Sequence, residues 1–212
     1  MNFQEAVQSY AEQPLTRQIL LDMLRDYKSP NDKIDELVKQ HMLTQIKRGL
    51  YIPGPRLNIA SAEPFLIANH LYGPSYVSLD TALSYWGLIP ERVFEISSIS
   101  TLRSKLFNTP AGRFSYRYMP LPYYSFGIKQ VALTKKQTVL MASAEKALCD
   151  KIVTTSGISL RSTKQTSALL KEDFRIDEKL LLTLNVESIT GWIENAPKKN
   201  SLRMLLKTLK SL

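Results

Sequence analysis

The residues whose types and spacing suggest chemistry lie in a short basic turn. Lys47 and Arg48 precede Gly49, which suits a tight hairpin because glycine adopts positive φ without strain. Ammonium and guanidinium groups at a hairpin tip are well placed to bind phosphate oxygens. The turn therefore predicts contact with a nucleic-acid backbone, against the simpler alternative of a solvated surface loop.

Catalytic chemistry has less support in the sequence. His41 and His70 have no partner at triad or metal-ligand spacing, and no glycine-rich phosphate loop occurs. Glu145 and Asp150 are five residues apart, so on a helix they project about 140° from each other and spacing alone does not pair them. Lys146 and Glu145 are expected to be salt-bridging residues of the surface. We expect no enzyme activity, no cofactor and no metal.

Charge changes sign along the N-terminal part of the chain. The net charge is +9, which favours partners that carry phosphate. Residues 1–36 hold four basic and seven acidic side chains, whereas residues 37–56 hold four basic ones and no acid. Attraction to DNA in this region must therefore come from residues 37–56.

Composition limits the class of protein. With 44% hydrophobic and 22% charged residues, the 212-residue chain is globular rather than disordered. One cysteine, Cys149, excludes an internal disulfide, and it is expected in the core. There is no apolar run of about 20 residues and no signal-like N-terminus, so we expect a cytoplasmic protein without a membrane partner.

The elements around the basic turn predict a winged helix-turn-helix. Helical spacing of apolar residues indicates helices over residues 3–10, 17–27 and 33–40, and two short strands flank the turn. In such a domain the second helix of the helix-turn-helix enters the major groove and the wing contacts the backbone. Helix residues become candidates for base contacts, and residues in and beside the wing become candidates for backbone contacts. The predicted DNA-binding residues are Asn31, Lys33, Lys39, Gln40, Thr44, Gln45, Lys47 and Arg48.

A second unit begins near Leu57. Helices are predicted over residues 65–71, 79–86 and 144–153, with short strands between the last two and a leucine-rich helical end after Leu160. Ser78 is expected to cap a helix, and Asp80 and Thr81 to lie in its first turn rather than to serve catalysis. The alternation of Phe114, Tyr116 and Tyr118 favours core positions over a stacking platform for single-stranded nucleic acid. A possible additional nucleic-acid or partner surface comprises Arg103, Lys105, Arg113, Arg117, Lys198 and Lys199.

Four segments together resemble the AbiEi family of antitoxins, which are also regulators of viral-defence operons. They are residues 46–51, 76–91, 112–117 and 144–150, and the second is the most specific. The resemblance implies an N-terminal winged helix that represses its own operon. It also implies a C-terminal domain that opposes a nucleotidyltransferase-like toxin encoded beside it, without requiring direct contact between the two proteins.

The predicted fold class is α+β, with a winged helix-turn-helix over residues 1–55 and an α+β effector domain over residues 56–212. That second domain is expected to contain an antiparallel sheet and a helical C-terminal end. The predicted function is a DNA-binding autorepressor that is the antitoxin of a type IV toxin–antitoxin system in phage defence, bound to an inverted-repeat operator. Two alternatives remain: a nuclease-like enzyme built on Glu145, Lys146 and Asp150, and a toxin-binding module that docks through the basic C-terminal helix.

Overall fold

The N-terminal elements are three helices and a small sheet. The computed structural model describes residues 3–212 of a mixed α+β protein, which confirms the predicted class. Helix α1 (Phe3–Ser9), strand β1 (Leu15–Thr16), α2 (Arg17–Met23) and α3 (Pro30–Lys39) are followed by the hairpin of β2 (Leu43–Lys47) and β3 (Leu50–Pro53). The sheet order is β1-β3-β2, and both pairings are antiparallel. Because β1 was not predicted, the sheet has one strand more than expected.

A six-stranded sheet forms the centre of the second unit. Its elements are α4 (Pro64–Leu71), β4 (Ser75–Val77), α5 (Leu79–Tyr85), β5 (Glu95–Ser100), β6 (Lys105–Thr109), β7 (Gly112–Tyr118), β8 (Ile128–Ala132) and β9 (Thr138–Ala142). The order is β6-β7-β5-β4-β9-β8. Strand β4 is parallel to β9 and β5 is parallel to β7, while the other three pairings are antiparallel. The expected antiparallel sheet is therefore wrong, and the sheet is mixed.

Helices complete the C-terminal part. They are α6 (Ala144–Thr154), α7 (Thr163–Ala168), α8 (Glu178–Leu181), α9 (Val186–Trp192) and α10 (Lys199–Leu209). Ser143 caps α6, since its hydroxyl accepts a hydrogen bond from the Lys146 backbone N–H at 3.2 Å. None of the helices formed by residues 3–212 has the length and apolar character needed to span a bilayer.

Two hydrophobic clusters divide the described residues. The smaller one is formed within the N-terminal elements around Leu15, Leu20 and Leu37. The larger one fills the second unit, and it also includes Ile46 and Leu50 of the hairpin. The hairpin is therefore packed on the second unit as well as on its own helices.

Two side chains of the second unit differ from their predicted roles. Ser78 precedes α5 as expected, but its hydroxyl makes no capping bond and donates instead to Asp150 at 2.8 Å. Tyr118 is 52% exposed, whereas Phe114 and Tyr116 are buried as predicted. Tyr118 pairs with Ser100 of β5, but the pairing of β6 with β7 begins at Lys105 and Tyr116, so Tyr118 has no partner on β6.

Candidate nucleic-acid interface

Helix α3 presents one buried face and one exposed face. Ile34 and Leu37 point into the core, while Asn31, Lys39 and Gln40 are exposed. The helix follows from its sequence, because Pro30 is tolerated in the first turn and the apolar residues recur at helical spacing. The exposed face is the part of α3 that is available to a ligand.

Salt bridges and hydrogen bonds occupy part of that face. Lys33 is only half-exposed, and its ammonium lies 2.9 Å from Glu36 and 5.4 Å from the ring centre of Tyr27. The hydrogen bond from Lys33 holds the pKa of Glu36 below its ordinary value. The Gln40 amide also donates to Glu36 at 2.8 Å. Among the predicted helix residues, Lys39 alone is a cation with no hydrogen-bond or ionic partner within residues 3–212.

The two basic residues of the hairpin turn are in different environments. Gly49 has φ +84°, as the predicted tight turn requires. Arg48 is exposed and has no partner within the described part of the chain. The Lys47 ammonium instead donates to the backbone carbonyl of Leu71 at the end of α4. Of the other two predicted residues in β2, Thr44 is half-buried and Gln45 is exposed.

Arg17 was not among the predicted DNA-binding residues, but it belongs to the same surface. Its guanidinium donates to the Asn31 side chain at 2.7 Å, and its backbone N–H donates to Gly49 at 3.0 Å. Arg17 therefore connects the start of α3, through its side chain, with the hairpin turn, through its backbone N–H. Its position directly after the capping residue Thr16 is the only local signal that marks it.

Three basic side chains meet where the hairpin contacts the second unit. Burial is the main cause that lowers the pKa of Lys47, and the nearby charge of Lys105 lowers it further. Burial is also the main cause that lowers the pKa of His70, and the charge of Lys47 adds to it. Lys105 lies 4.8 Å from the ring centre of Phe107 and 5.7 Å from that of Tyr72. The hairpin and the edge strand β6, which are separate in sequence, thus bring Lys47 and Lys105 close together.

The other basic residues of the second unit are in different environments. Arg103 has an exposed side chain, and its backbone carbonyl accepts a hydrogen bond from Tyr72. Arg113 pairs with Glu95 at 2.7 Å. Arg117 is exposed and has no ionic or hydrogen-bond partner within residues 3–212.

Lys198 and Lys199 are not equivalent parts of one surface. The Lys198 ammonium donates to the backbone carbonyls of Ile152, Thr155 and Ile158, and burial lowers its pKa. Its hydrogen bonds therefore hold the C-terminal end of α6 and the loop after it. Lys199 is exposed and lies 4.0 Å from Glu194.

The residues of the nuclease-like alternative do not form an accessible carboxylate site. Lys146 and Asp150 are fully buried, and the ammonium lies 2.8 Å from Asp150 Oδ1. The predicted surface position of Lys146 is therefore wrong, since its ion pair with Asp150 lies in the core. Tyr76 donates to Asp150 Oδ2 at 2.9 Å, and the Lys146 ammonium also donates to the Tyr123 carbonyl at 3.0 Å.

Glu145 is also held by neighbouring residues. Its carboxylate accepts hydrogen bonds from the Ser143 hydroxyl at 2.7 Å and from the Asn185 backbone N–H at 2.9 Å. Burial alone would raise the pKa of Glu145, but these hydrogen bonds outweigh it and the pKa is lowered. Cys149 is buried as predicted, and burial raises the pKa of its thiol.

Neither metal-binding geometry nor similarity to known proteins adds to the site. Residues 3–212 contain no group of three or more His, Cys, Asp or Glu side chains that could hold a metal ion. In comparisons with protein-family models and with curated proteins, nothing matches the chain. The candidate interface therefore rests on its geometry and charge.

Proposed function

We propose that the N-terminal elements are a winged helix-turn-helix that binds double-stranded DNA. The observation that carries the proposal is the exposed Arg48 at the hairpin tip, which has no partner among residues 3–212 and lies on the same small unit as Arg17 and the exposed face of α3. In this arrangement α3 enters the major groove, and Arg17 and Arg48 contact phosphates on its flanks. Lys39 and Gln40 are the candidates for base contacts.

The proposal extends to the whole chain through the resemblance to AbiEi antitoxins. The chain is then a cytoplasmic autorepressor that occupies an inverted repeat in its own promoter. Its second unit opposes a nucleotidyltransferase-like toxin encoded beside it. Coexpression tests this part: the full chain is expected to restore growth of cells that express the neighbouring gene. A neighbouring gene that encodes no growth inhibitor would contradict the antitoxin role.

Replacing Arg48 by alanine is expected to weaken binding of promoter DNA. Loss of one phosphate contact should lower the affinity for all sequences similarly and reduce the slope of log K against log salt by about one. Fluorescence anisotropy with a labelled promoter fragment, measured over several salt concentrations, gives both quantities. Arg25→Ala is the matched control, because Arg25 is exposed and lies beyond the end of α2, outside the proposed contact residues. Equal slopes for Arg48→Ala and the wild type would contradict the wing assignment.

A further inference from the structure

A groove lies on the second unit where β7, the start of α5 and the end of α6 come together. One part is a cleft of about 380 Å³ lined in part by Leu79, Arg117, Lys151 and Phe174. A second part of about 350 Å³ shares Asp80, Lys151 and Phe174 with the first and continues past Ile89. Each part is within the size of small-molecule sites, which usually occupy roughly 300–1,000 Å³.

Two cations with different roles line the first part of the groove. Lys151 is bound to Asp80, and its ammonium lies 4.6 Å from the ring centre of Phe174. Arg117 has no partner within the described residues, whereas Arg113, four residues earlier on the same strand, is paired with Glu95. The groove thus has one fixed ammonium and one guanidinium whose donors are all free for a ligand. Guanidinium groups bind phosphate oxygens in a bidentate manner.

The wall of the groove is held in an unfavourable backbone conformation. Leu79 has φ +56°, a region that costs a non-glycine residue free energy and that is found disproportionately at functional sites. Hydrogen bonds of Ser97 impose this turn, since its hydroxyl donates to the Ser78 carbonyl at 3.0 Å and its backbone N–H donates to Thr81 at 2.9 Å. The network keeps Leu79 at the groove.

The second part of the groove is acidic and apolar. Asp80, Glu91 and Asp173 line it together with Ile89 and Val93, but Asp80 is paired with Lys151 and Glu91 with Arg175. Bare phosphate would be repelled by Asp173, which has no ionic partner among residues 3–212, whereas sugar hydroxyls and base amino groups would donate to carboxylate oxygens there. A ligand that fits both parts is anionic at one end and a neutral hydrogen-bond donor with apolar surface at the other.

We infer that this groove binds a nucleoside phosphate. The phosphates contact Arg117 and Lys151, the nucleoside packs along Leu79 and Ile89, and its donors meet the carboxylates beyond Asp80. This site lies outside the proposed DNA-binding surface, so it adds a small-molecule ligand to the proposed function. The ligand class follows from Arg117 in the first part and Asp173 in the second, the lining charges that have no ionic partner among residues 3–212.

Titration calorimetry on the full chain, without DNA, tests the inference with ATP, GTP, CTP, UTP and pyrophosphate as probes. At least one nucleotide is expected to bind with a Kd below about 0.1 mM. Arg117→Gln is expected to weaken that binding by about tenfold or more, because a charge-assisted bidentate contact is lost. Arg113→Gln is the matched control on the same strand and should leave the affinity unchanged within about twofold.

The possible outcomes separate this site from the DNA interface. Absence of binding by all four nucleotides, or equal losses for Arg117→Gln and Arg113→Gln, would overturn the inference. Pyrophosphate binding as tight as that of every nucleotide would overturn the nucleoside part. Promoter affinity of Arg117→Gln should equal that of the wild type, and its unfolding curve should coincide with that of the wild type because Arg117 is exposed. Failure of nucleotide binding would then leave the DNA-binding proposal intact.

Discussion

Replacing Asp150 by alanine should lower the free energy of unfolding by about 3–5 kcal/mol. Asp150 is fully buried, forms an ion pair with the Lys146 ammonium, and accepts hydrogen bonds from the Tyr76 and Ser78 hydroxyls. Its loss leaves a buried ammonium without a counterion and two hydroxyl groups without an acceptor, and the interior cannot solvate them as water does. Equilibrium unfolding in urea, followed by circular dichroism, measures the change.

Two further variants separate the charge effect from a general loss of packing. Asp150→Asn keeps an acceptor for the two hydroxyls but leaves Lys146 unpaired, so it should also be strongly destabilising. Adding Lys146→Met to it removes the unpaired charge and should recover more than half of the lost stability. Asp80→Ala breaks the partly exposed pair with Lys151 and should cost about 1 kcal/mol, far less than loss of the fully buried pair. An Asp150→Ala protein within about 1 kcal/mol of the wild type would refute the role given to this pair.

Gly54→Ala is expected to be the second most damaging change, with a loss of about 3 kcal/mol. A Cβ atom at this position would lie 2.3 Å from the His41 carbonyl oxygen and 2.7 Å from the Met42 carbonyl carbon. These are backbone atoms of the segment that connects α3 to β2, so that segment or the end of the hairpin must shift. The φ of Gly54 is −80°, so lack of space rather than backbone conformation excludes a side chain. Urea unfolding measures the loss, and promoter affinity should fall with it.

Gly191→Ala is the matched control for this prediction. Gly191 lies in α9, and a Cβ atom there would meet no atom within 4 Å. Alanine favours a helix over glycine, so this variant should gain about 0.5–1 kcal/mol. If Gly54→Ala were as stable as Gly191→Ala, the close approach of the two backbone segments would be disproved.

Local sequence signals predicted the elements that form from local interactions. Helix α3, the hairpin turn at Gly49 and the Ser143 cap of α6 each depend on residues within a few positions of one another. Strand β4 was missed because its three residues are all buried, so they show no alternation between apolar and polar positions. Parallel pairing of β5 with β7 joins segments separated by β6, and nothing within either strand encodes it.

In the candidate sites too, local sequence predicts some features, while others depend on how distant segments pack. The hairpin tip was predicted from its residue types, but the contact of Lys47 with Leu71 depends on how two distant segments pack. Lys146 and Asp150 have the four-residue spacing of ordinary surface pairs on a helix. The pair is buried because distant residues pack over it, among them Tyr76 and Ser78, which lie more than 70 residues before Asp150 and donate hydrogen bonds to it. The groove beside Arg117 likewise exists only in the folded sheet.

The contacts of the hairpin with the second unit would limit how two copies of the protein are oriented on one operator. Ile46 and Leu50 belong to the core of the second unit, and Lys47 is bonded to the end of α4, so the two units are not free to swivel about residues 55–57. A DNA duplex bound by Arg48 would therefore fix the orientation of both units relative to the DNA. Inserting about five base pairs, half a helical turn, between the half-sites would place the second units on opposite sides of the duplex. Operator spacing, rather than a flexible linker, would then set whether two copies can touch.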